Sequence, residues 1–214
     1  MPKLLELFCG TKSISNAFAA AGWETYTVDW DKSFNPTLCA DIGTLTKEDL
    51  IELCGGIPDV VWLSPDCTTY SVAALRYHRI KDTNNKIIPK SDYAAFCDKV
   101  NTHILDVVIN QLKPKYYFIE NPRSTFRKMD FIANIPRYTV TYCQYGDFRM
   151  KPTDIFTNHP EPNFKPPCKN GAPCHQPAPR GSKAGTQALT SKAQRGEIPE
   201  KLCKHIVEIC SNED

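Results

Sequence analysis

Short apolar runs alternate with amphipathic stretches from residue 3 to about residue 158. Each apolar run predicts a strand, and each stretch with a helical period predicts a helix. The predicted strands are Leu4–Cys9, Glu24–Trp30, Asp59–Ser64, Tyr116–Asn121, Tyr138–Cys143 and Asp154–Asn158. The predicted helices are Ser13–Ala21, Lys47–Cys54, Asp92–Leu112 and Arg123–Ile132. This alternation predicts an α/β fold, with a mostly parallel sheet and helices on both faces.

The pattern changes after residue 158. Proline and glycine become dense, which indicates an irregular excursion rather than more sheet. Near the end a helix is predicted again, because Pro199 suits a first helical turn and three apolar residues share one face. Those three residues are Leu202, Ile206 and Ile209. We therefore divide the chain into a body of residues 1–158, a small basic excursion of residues 159–197, and a helix in residues 198–214 that docks on the body.

The composition fits one sizeable hydrophobic core. The chain has 214 residues, of which 41% are hydrophobic and 23% charged. No apolar run approaches the ~20 residues that a membrane span needs, and the N-terminus lacks the pattern of a signal peptide. Ten cysteines in such a chain indicate reduced thiols in a cytosol rather than a disulfide framework.

Positive charge is concentrated in two irregular segments, although the net charge is only +2. The segments are residues 68–90, which we interpret as a mobile lid, and residues 160–195. Both could be solvated loops, but their position beside a candidate site favours a polyanion such as nucleic acid as partner. The cations expected to contact it are Arg76, Arg79, Lys165, Lys169, Arg180 and Lys183, with Lys192 and Arg195 as further candidates.

A thiol and a carboxylate follow two of the predicted strands. Cys67 stands in a polar loop after the strand that ends at Ser64, and Glu120 lies at the end of a later strand. The carboxyl ends of parallel strands open at one edge of a sheet, where α/β proteins bind ligands. A thiol with an acid is suited to nucleophilic attack on a heteroaromatic ring.

The first two strands end in residues suited to a nucleoside-containing cofactor. Gly10 lets the backbone approach a ligand at the start of a helix. Asp29 is placed to bond ribose hydroxyls, Trp30 could stack on an adenine, and Asp41 could meet its amine. Each acid alone could be a helix cap or a turn residue, but the ordered set favours a binding site.

Six short motifs carry a family resemblance. They are Leu7-Phe-Cys-Gly10, Asp29-Trp30, Asp41-Ile42, Ser64-Pro-Asp-Cys67, Glu120-Asn-Pro122, and Tyr145-Gly146 through Lys151-Pro-Thr-Asp154. In this order they resemble the DNA cytosine carbon-5 methyltransferase family. The chain is similar to the short members of phages and mobile elements, which implies the cytoplasm of a bacterial or phage-infected host. The resemblance covers residues 3–158 and the final helix.

The resemblance implies a class I methyltransferase sheet, S-adenosylmethionine as cofactor, and duplex DNA from which the target cytosine is flipped. It implies that Cys67 adds to carbon 6 of cytosine, and that Glu120 bonds ring nitrogen 3 and the exocyclic amine. Lys151 is the best match to the cation on the base carbonyl, with Arg149 as the alternative. The residues expected to hold the cofactor are Phe8, Gly10, Thr11, Ser13, Asp29, Trp30, Asp41, Ile42 and Pro65.

Two departures from the family pattern leave alternatives open. Asp66 stands where the family usually has proline; it either raises the pKa of Cys67 through charge repulsion or points away and caps the loop. The large target-recognition region of the family is missing, and only residues 159–197 could replace it. The same chemistry on RNA or a free cytosine nucleotide is therefore a second hypothesis, and an inactive nucleic-acid-binding relative is a third.

Cys168, Cys174 and His175 could bind zinc, with His159 or with Cys203 and His205 completing the set. The spacing is not that of a standard zinc ribbon or finger. Buried or idle thiols are therefore favoured, and no metal is predicted.

Overall fold

The computed structural model describes residues 1–176, 189 and 191–211. Seven strands form one sheet: β1 (Lys3–Leu7), β2 (Glu24–Asp29), β3 (Leu38–Cys39), β4 (Val60–Leu63), β7 (Tyr116–Pro122), β8 (Arg137–Thr141) and β9 (Pro152–Thr157). Their spatial order is β3-β2-β1-β4-β7-β9-β8. The first five are mutually parallel, whereas β9 runs antiparallel to both β7 and β8. The predicted α/β fold with a mostly parallel sheet is confirmed.

Helices cover both faces of this sheet. The helices in the described residues are α1 (Ser13–Ala20), α2 (Lys47–Cys54), α3 (Leu75–His78), α4 (Asp92–Asp106), α5 (Lys192–Gly196) and α6 (Glu200–Ser211), of which α1, α2, α4 and α6 pack on the sheet. One hydrophobic core packs the sheet against α2 and α4, and a second packs it against α1 and α6. Leu202 and Ile206 of α6 are fully buried there, as their spacing predicted. Every helix in the described part of the chain is too short or too polar to cross a bilayer.

The long predicted helix Asp92–Leu112 is helical throughout. The hydroxyl of Ser91 caps α4 by accepting a hydrogen bond from the amide of Ala94. After Asp106 the helix widens into a π-helix over Val107–Leu112, and Lys113 ends it in the left-handed conformation. The following residue, Pro114, cannot continue a helix.

The predicted helix Arg123–Ile132 is wrong. The chain instead makes two 3₁₀ turns, Thr125–Lys128 and Asp130–Ile132, with Met129 extended between them. The apolar residues that face the core recur at every third position, as Phe126, Met129 and Ile132. A spacing of three matches the 3₁₀ helix, in which residues i and i+3 lie on one face.

Residues 68–90, which were predicted to be irregular, contain regular secondary structure. They form a 3₁₀ turn (Thr68–Tyr70), α3, and an antiparallel hairpin of β5 (Arg79–Lys81) with β6 (Ile87–Pro89). The carboxylate of Asp82 holds the hairpin turn by accepting the amides of Asn84 and Lys86 at 2.9 and 2.8 Å. The hairpin follows β4 in the chain and packs against α3 and α4.

Candidate active site

Four strands deliver the candidate residues to one edge of the sheet. Strand register pairs Leu7 of β1 with Val28 of β2 and Leu63 of β4, and it pairs Leu63 with Ile119 of β7. The residues that follow these positions therefore leave the sheet side by side. This places the turn after β1, the Asp29 region, the Cys67 loop and Glu120 at a common edge.

The turn between β1 and α1 has an unusual backbone. Phe8, Gly10 and Lys12 all have positive φ angles, at 57°, 45° and 57°. Such conformations are costly for residues other than glycine and cluster at functional sites. A Cβ added to Gly10 would meet nothing within 4 Å, so the turn faces open space. The geometry leaves room for a ligand to approach the backbone at the start of α1.

Asp29 holds this turn in place. Its buried carboxylate accepts the amide of Gly10 at 3.0 Å through Oδ2 and the amide of Asp31 at 3.0 Å through Oδ1. Beside it, Trp30 exposes 71% of its surface, which is rare for so large an apolar ring. A buried carboxylate next to an exposed aromatic face is suited to a ribose next to a flat base.

The other predicted cofactor residues have mixed environments. Thr11 and Ser13 share a hydroxyl–hydroxyl hydrogen bond of 3.1 Å at the start of α1. Asp41 caps the 3₁₀ turn after β3 by accepting the amide of Gly43 at 2.9 Å, and the side chain of Ile42 is buried in the core. Asp41 is thus a cap, the alternative that the sequence left open, and it remains on the surface.

The Cys67 thiol is partly buried at the beginning of the Thr68–Tyr70 turn. Burial raises the pKa of this thiol, and the negative charges of Glu120 and Asp66 raise it further, while Lys151 lowers it. Asp66 also caps the loop, because its carboxylate accepts the amide of Thr68 at 2.6 Å. Asp66 therefore raises the pKa of Cys67, the first alternative, and also makes the loop cap of the second.

Glu120 is buried and tied to two neighbours. The hydroxyl of Tyr142 donates to its Oε1 at 2.9 Å, and Nζ of Lys151 lies 4.0 Å from the same oxygen. Lys151 also sits above the Tyr142 ring, 4.6 Å from its centroid, and donates to the carbonyl of Arg195 at 3.0 Å. The structure therefore brings together a thiol, a carboxylate and an ammonium group.

Arg149 has a different environment from Lys151. Its guanidinium forms a buried ion pair with Asp147 and donates to the carbonyls of Gln194 and Glu197 at 3.1 and 3.4 Å. These bonds fix the segment that contains α5 against the body of the protein. Lys151, rather than Arg149, is the cation beside Glu120.

Two residues of the site were missing from the predicted set. Asn121 donates from its side-chain amide to the carbonyl of Pro65 at 3.0 Å, which joins the end of β7 to the Cys67 loop. Tyr142 provides the hydroxyl on Glu120. The asparagine directly after Glu120 was a visible signal. The tyrosine was not, because it looked like one more apolar residue of a predicted strand.

Arg79 was predicted to contact nucleic acid, and this prediction is wrong. Its side chain is 3% exposed and forms a two-pronged ion pair with Asp98, at 3.0 and 2.8 Å. It also donates to the carbonyl and the hydroxyl of Thr69 and lies 4.1 Å from the centroid of the Tyr70 ring. These contacts anchor the hairpin to the turn that follows Cys67, and they occupy the guanidinium inside the protein.

The remaining predicted cations divide by exposure. Arg76, Lys165, Lys169 and Arg195 are exposed. Arg180 and Lys183 lie outside the described residues, as does the side chain of Lys192.

Comparison with known proteins adds three similarities. No family model matches the chain. The chain is 31% identical over 160 residues to the "Probable DNA (cytosine-5)-methyltransferase" of Frog virus 3 (isolate Goorha), covering 73% of this chain and 70% of the viral protein.

Two solved structures share its fold at 14% identity and 73% coverage of this chain. They are a candidate DNA modification methyltransferase encoded within an E. coli prophage, with a TM-score of 0.51, and the Entamoeba histolytica methyltransferase EhMeth, with a TM-score of 0.52. The chain spans about half the length of these two proteins, 46% and 52%.

Proposed function

The chain belongs to the DNA (cytosine-5)-methyltransferase family, and from this premise we propose that it methylates carbon 5 of cytosine in DNA with S-adenosylmethionine as methyl donor. The observation that carries the proposal is the convergence of Cys67, Glu120 and Lys151 at the sheet edge that also holds the Gly10 turn.

Cys67 is the proposed nucleophile. Carbon 5 of cytosine is a poor nucleophile until a group adds at carbon 6, and a thiolate both attacks well and leaves easily. The thiol must lose its proton as the sulfur–carbon 6 bond forms. Burial and the neighbouring acids raise its pKa in the free protein, so attack is expected to await the arrival of the base.

Glu120 and Lys151 are proposed to activate the ring. In its protonated form Glu120 would donate to ring nitrogen 3, which takes up the electron pair displaced when sulfur adds at carbon 6, and it would accept from the exocyclic amine. Lys151 would donate to the carbonyl oxygen of the base. Its Nζ already lies 4.0 Å from Oε1 of Glu120. Tyr142 is a positioning residue, because its hydroxyl fixes the Glu120 carboxylate. After carbon 5 has taken the methyl group, loss of its proton to solvent and expulsion of the Cys67 thiolate would restore the aromatic ring.

The cofactor would lie across the Gly10 turn, where it supplies the electrophilic methyl group. The open space above Gly10, the buried Asp29 and the exposed ring of Trp30 fit its adenosine half. Asp29 would bond the ribose and Trp30 would cover the adenine face. Each Asp29 oxygen already accepts one backbone amide, so the carboxylate is held rigid for a further bond.

The proposed partner is double-stranded DNA with the target base flipped out. The Cys67 loop lies at the sheet edge, and an enzyme must extrude a base to reach its ring, at a cost of roughly a few kcal/mol. Exposed cations lie in the two segments next to this edge, residues 68–90 and the excursion that begins at residue 159. They are Arg76, Lys81, Lys90, Lys165 and Lys169. Contacts from such side chains go chiefly to phosphates.

The test is incubation of the purified chain with S-adenosylmethionine and, separately, duplex DNA, single-stranded DNA, RNA or dCMP. Digestion and mass spectrometry then measure a gain of ~14 Da, one methyl group, on cytosine, as expected for the addition to carbon 5. We expect methylation of duplex DNA above all other substrates. Preferential methylation of RNA or dCMP would show that this molecule, rather than DNA, is the substrate. No product on any of the four substrates would reject the proposed activity.

A further inference from the structure

Three cysteines and a histidine converge at the Tyr142–Tyr145 turn. Cys143 belongs to this turn, Cys168 follows it 25 residues later, and Cys174 and His175 close the group. The four candidate ligand atoms all lie within 4.8 Å of one another. The group includes the three residues singled out in the sequence, and Cys143 is the fourth member that spacing alone did not supply.

The other partners considered from the sequence are engaged elsewhere. The Nε2 atoms of His159 and His205 lie 3.1 and 2.7 Å from the carbonyls of Ile209 and Pro162. Cys203 is buried in the core on α6. A tetrad that relied on these residues is therefore wrong.

Three of the distances between the ligand atoms match those of a tetrahedral zinc site. With Zn–S bonds of about 2.3 Å and a Zn–N bond of about 2.0 Å, tetrahedral geometry separates two sulfurs by about 3.8 Å and a sulfur from a nitrogen by about 3.5 Å. Sγ of Cys174 lies 3.7 Å from Sγ of Cys143, and Nδ1 of His175 lies 3.6 and 3.7 Å from the sulfurs of Cys174 and Cys168. The sulfurs of Cys143 and Cys168 are closer, at 3.1 Å.

Hydrogen bonds around the group hold its members in position. The amide of Cys168 donates to the hydroxyl of Thr141 at 2.9 Å, and the side-chain amide of Gln144 donates to the sulfur of Cys174 at 3.4 Å. The amide of Gln176 bonds the carbonyl of Phe148 at 2.9 Å. Hydrogen bonds of this kind orient the ligands of metal sites. Thiols without a metal would not need to be held around one point.

We propose that Cys143, Cys168, Cys174 and His175 bind one structural zinc ion. Three thiolates and one imidazole in a closed tetrahedral set are ligands typical of structural zinc, and the soft sulfur donors disfavour magnesium or calcium. Within the described part of the excursion, residues 159–176 contain neither a helix nor a strand. The ion would therefore supply order that hydrogen-bonded secondary structure does not, and it would fasten the excursion to the turn beside Glu120.

The test is metal analysis of the full chain, purified without a metal-affinity tag. We expect one zinc per chain in the wild type. Cys174→Ser should lower the zinc content at least tenfold, and its exposed position makes the substitution tolerable to the fold. Cys39→Ser is the matched control, because Cys39 is also exposed and lies outside the group.

Cobalt titration of the metal-stripped wild type gives a readout that does not depend on any variant. One equivalent of Co²⁺ should produce the visible bands of a tetrahedral thiolate site, and added Zn²⁺ should remove them. A wild-type chain that carries no zinc and shows no such bands would overturn the proposal. So would iron in place of zinc, or full zinc content in Cys174→Ser.

Discussion

Replacing Glu6 by glutamine should stabilise the protein at alkaline pH. Glu6 lies on β1, is 2% exposed, and accepts hydrogen bonds from both the amide and the hydroxyl of Ser15 at the start of α1. Burial raises the pKa of this carboxyl from 4.5 to about 7, and the bonds from Ser15 oppose that rise only in part. The ionised form is thus the unfavourable one in the folded protein.

The sign of the pH dependence follows from this raised pKa. The stabilisation from the protonated carboxyl is fully present below pH 4.5, the pKa of the unfolded chain, and is lost as the pH rises through about 7. A rise of this size corresponds to about 3 kcal/mol of unfolding free energy. Glutamine mimics the protonated acid, so Glu6→Gln should match the wild type near pH 4.5 and exceed it by about 3 kcal/mol at pH 8.

Urea unfolding at a series of pH values measures this difference. Glu52→Gln on α2 is the control, because Glu52 is exposed and should show no such divergence. Parallel stability curves for Glu6→Gln and wild type between pH 4.5 and pH 8 would refute the reasoning.

Three further predictions concern side chains around the site. Trp30→Ala should weaken binding of S-adenosylmethionine by roughly 1–3 kcal/mol, measured by calorimetry, and an unchanged affinity would reject the stacking role. Arg79→Met should lower the unfolding free energy by about 3 kcal/mol, because it leaves the largely buried carboxylate of Asp98 without its cation. Arg76→Met, at an exposed site, should change the unfolding free energy by less than about 0.5 kcal/mol. Equal effects of the two substitutions in urea unfolding would contradict this. Asp66→Asn removes a charge but keeps an acceptor for the loop amide, so the pKa of Cys67 should fall and thiol alkylation should reach its half-maximal rate at lower pH; an unchanged alkylation profile would show that Asp66 acts only as a cap.

The order of the elements and the placement of Cys67 and Glu120 at one sheet edge could be predicted because their signals are local. An apolar run that ends in a polar loop marks both the end of a strand and the side chain delivered there, as at Cys67 and Glu120. Parallel pairing then brings the two loops to one edge without any knowledge of side-chain packing. The Gly10 turn and Asp29 were predictable for the same reason.

The environment of individual cations could not be predicted from local signals. Arg79 and Arg76 lie three residues apart in one basic segment, yet the first is buried against Asp98 and the second is exposed. That difference depends on how the hairpin packs on α4. Likewise, the sequence left Lys151 and Arg149 as alternatives, and only the position of Asp147 and of the carbonyls near α5 separates them.

Contacts between distant segments account for the other omissions. Cys143 was the last residue of the predicted strand Tyr138–Cys143, so it looked like a core residue; the observed strand ends at Thr141, and Cys143 lies in the turn on which the chain near Cys168 folds back. The predicted helix Arg123–Ile132 failed for a local reason. A buried residue at every third position favours 3₁₀ turns, although the sequence is otherwise compatible with an α-helix.

The most direct test of covalent catalysis by Cys67 is trapping on duplex DNA that contains 5-fluorocytosine, in the presence of S-adenosylmethionine. Fluorine at carbon 5 cannot leave as a proton does, so the sulfur–carbon 6 bond persists after methyl transfer. We predict a denaturation-resistant protein–DNA adduct that peptide mass spectrometry maps to Cys67, and no adduct or methylation from Cys67→Ser, whose hydroxyl is barely ionised at neutral pH. Methylation by Cys67→Ser at the wild-type rate, or an adduct at another residue, would contradict the mechanism.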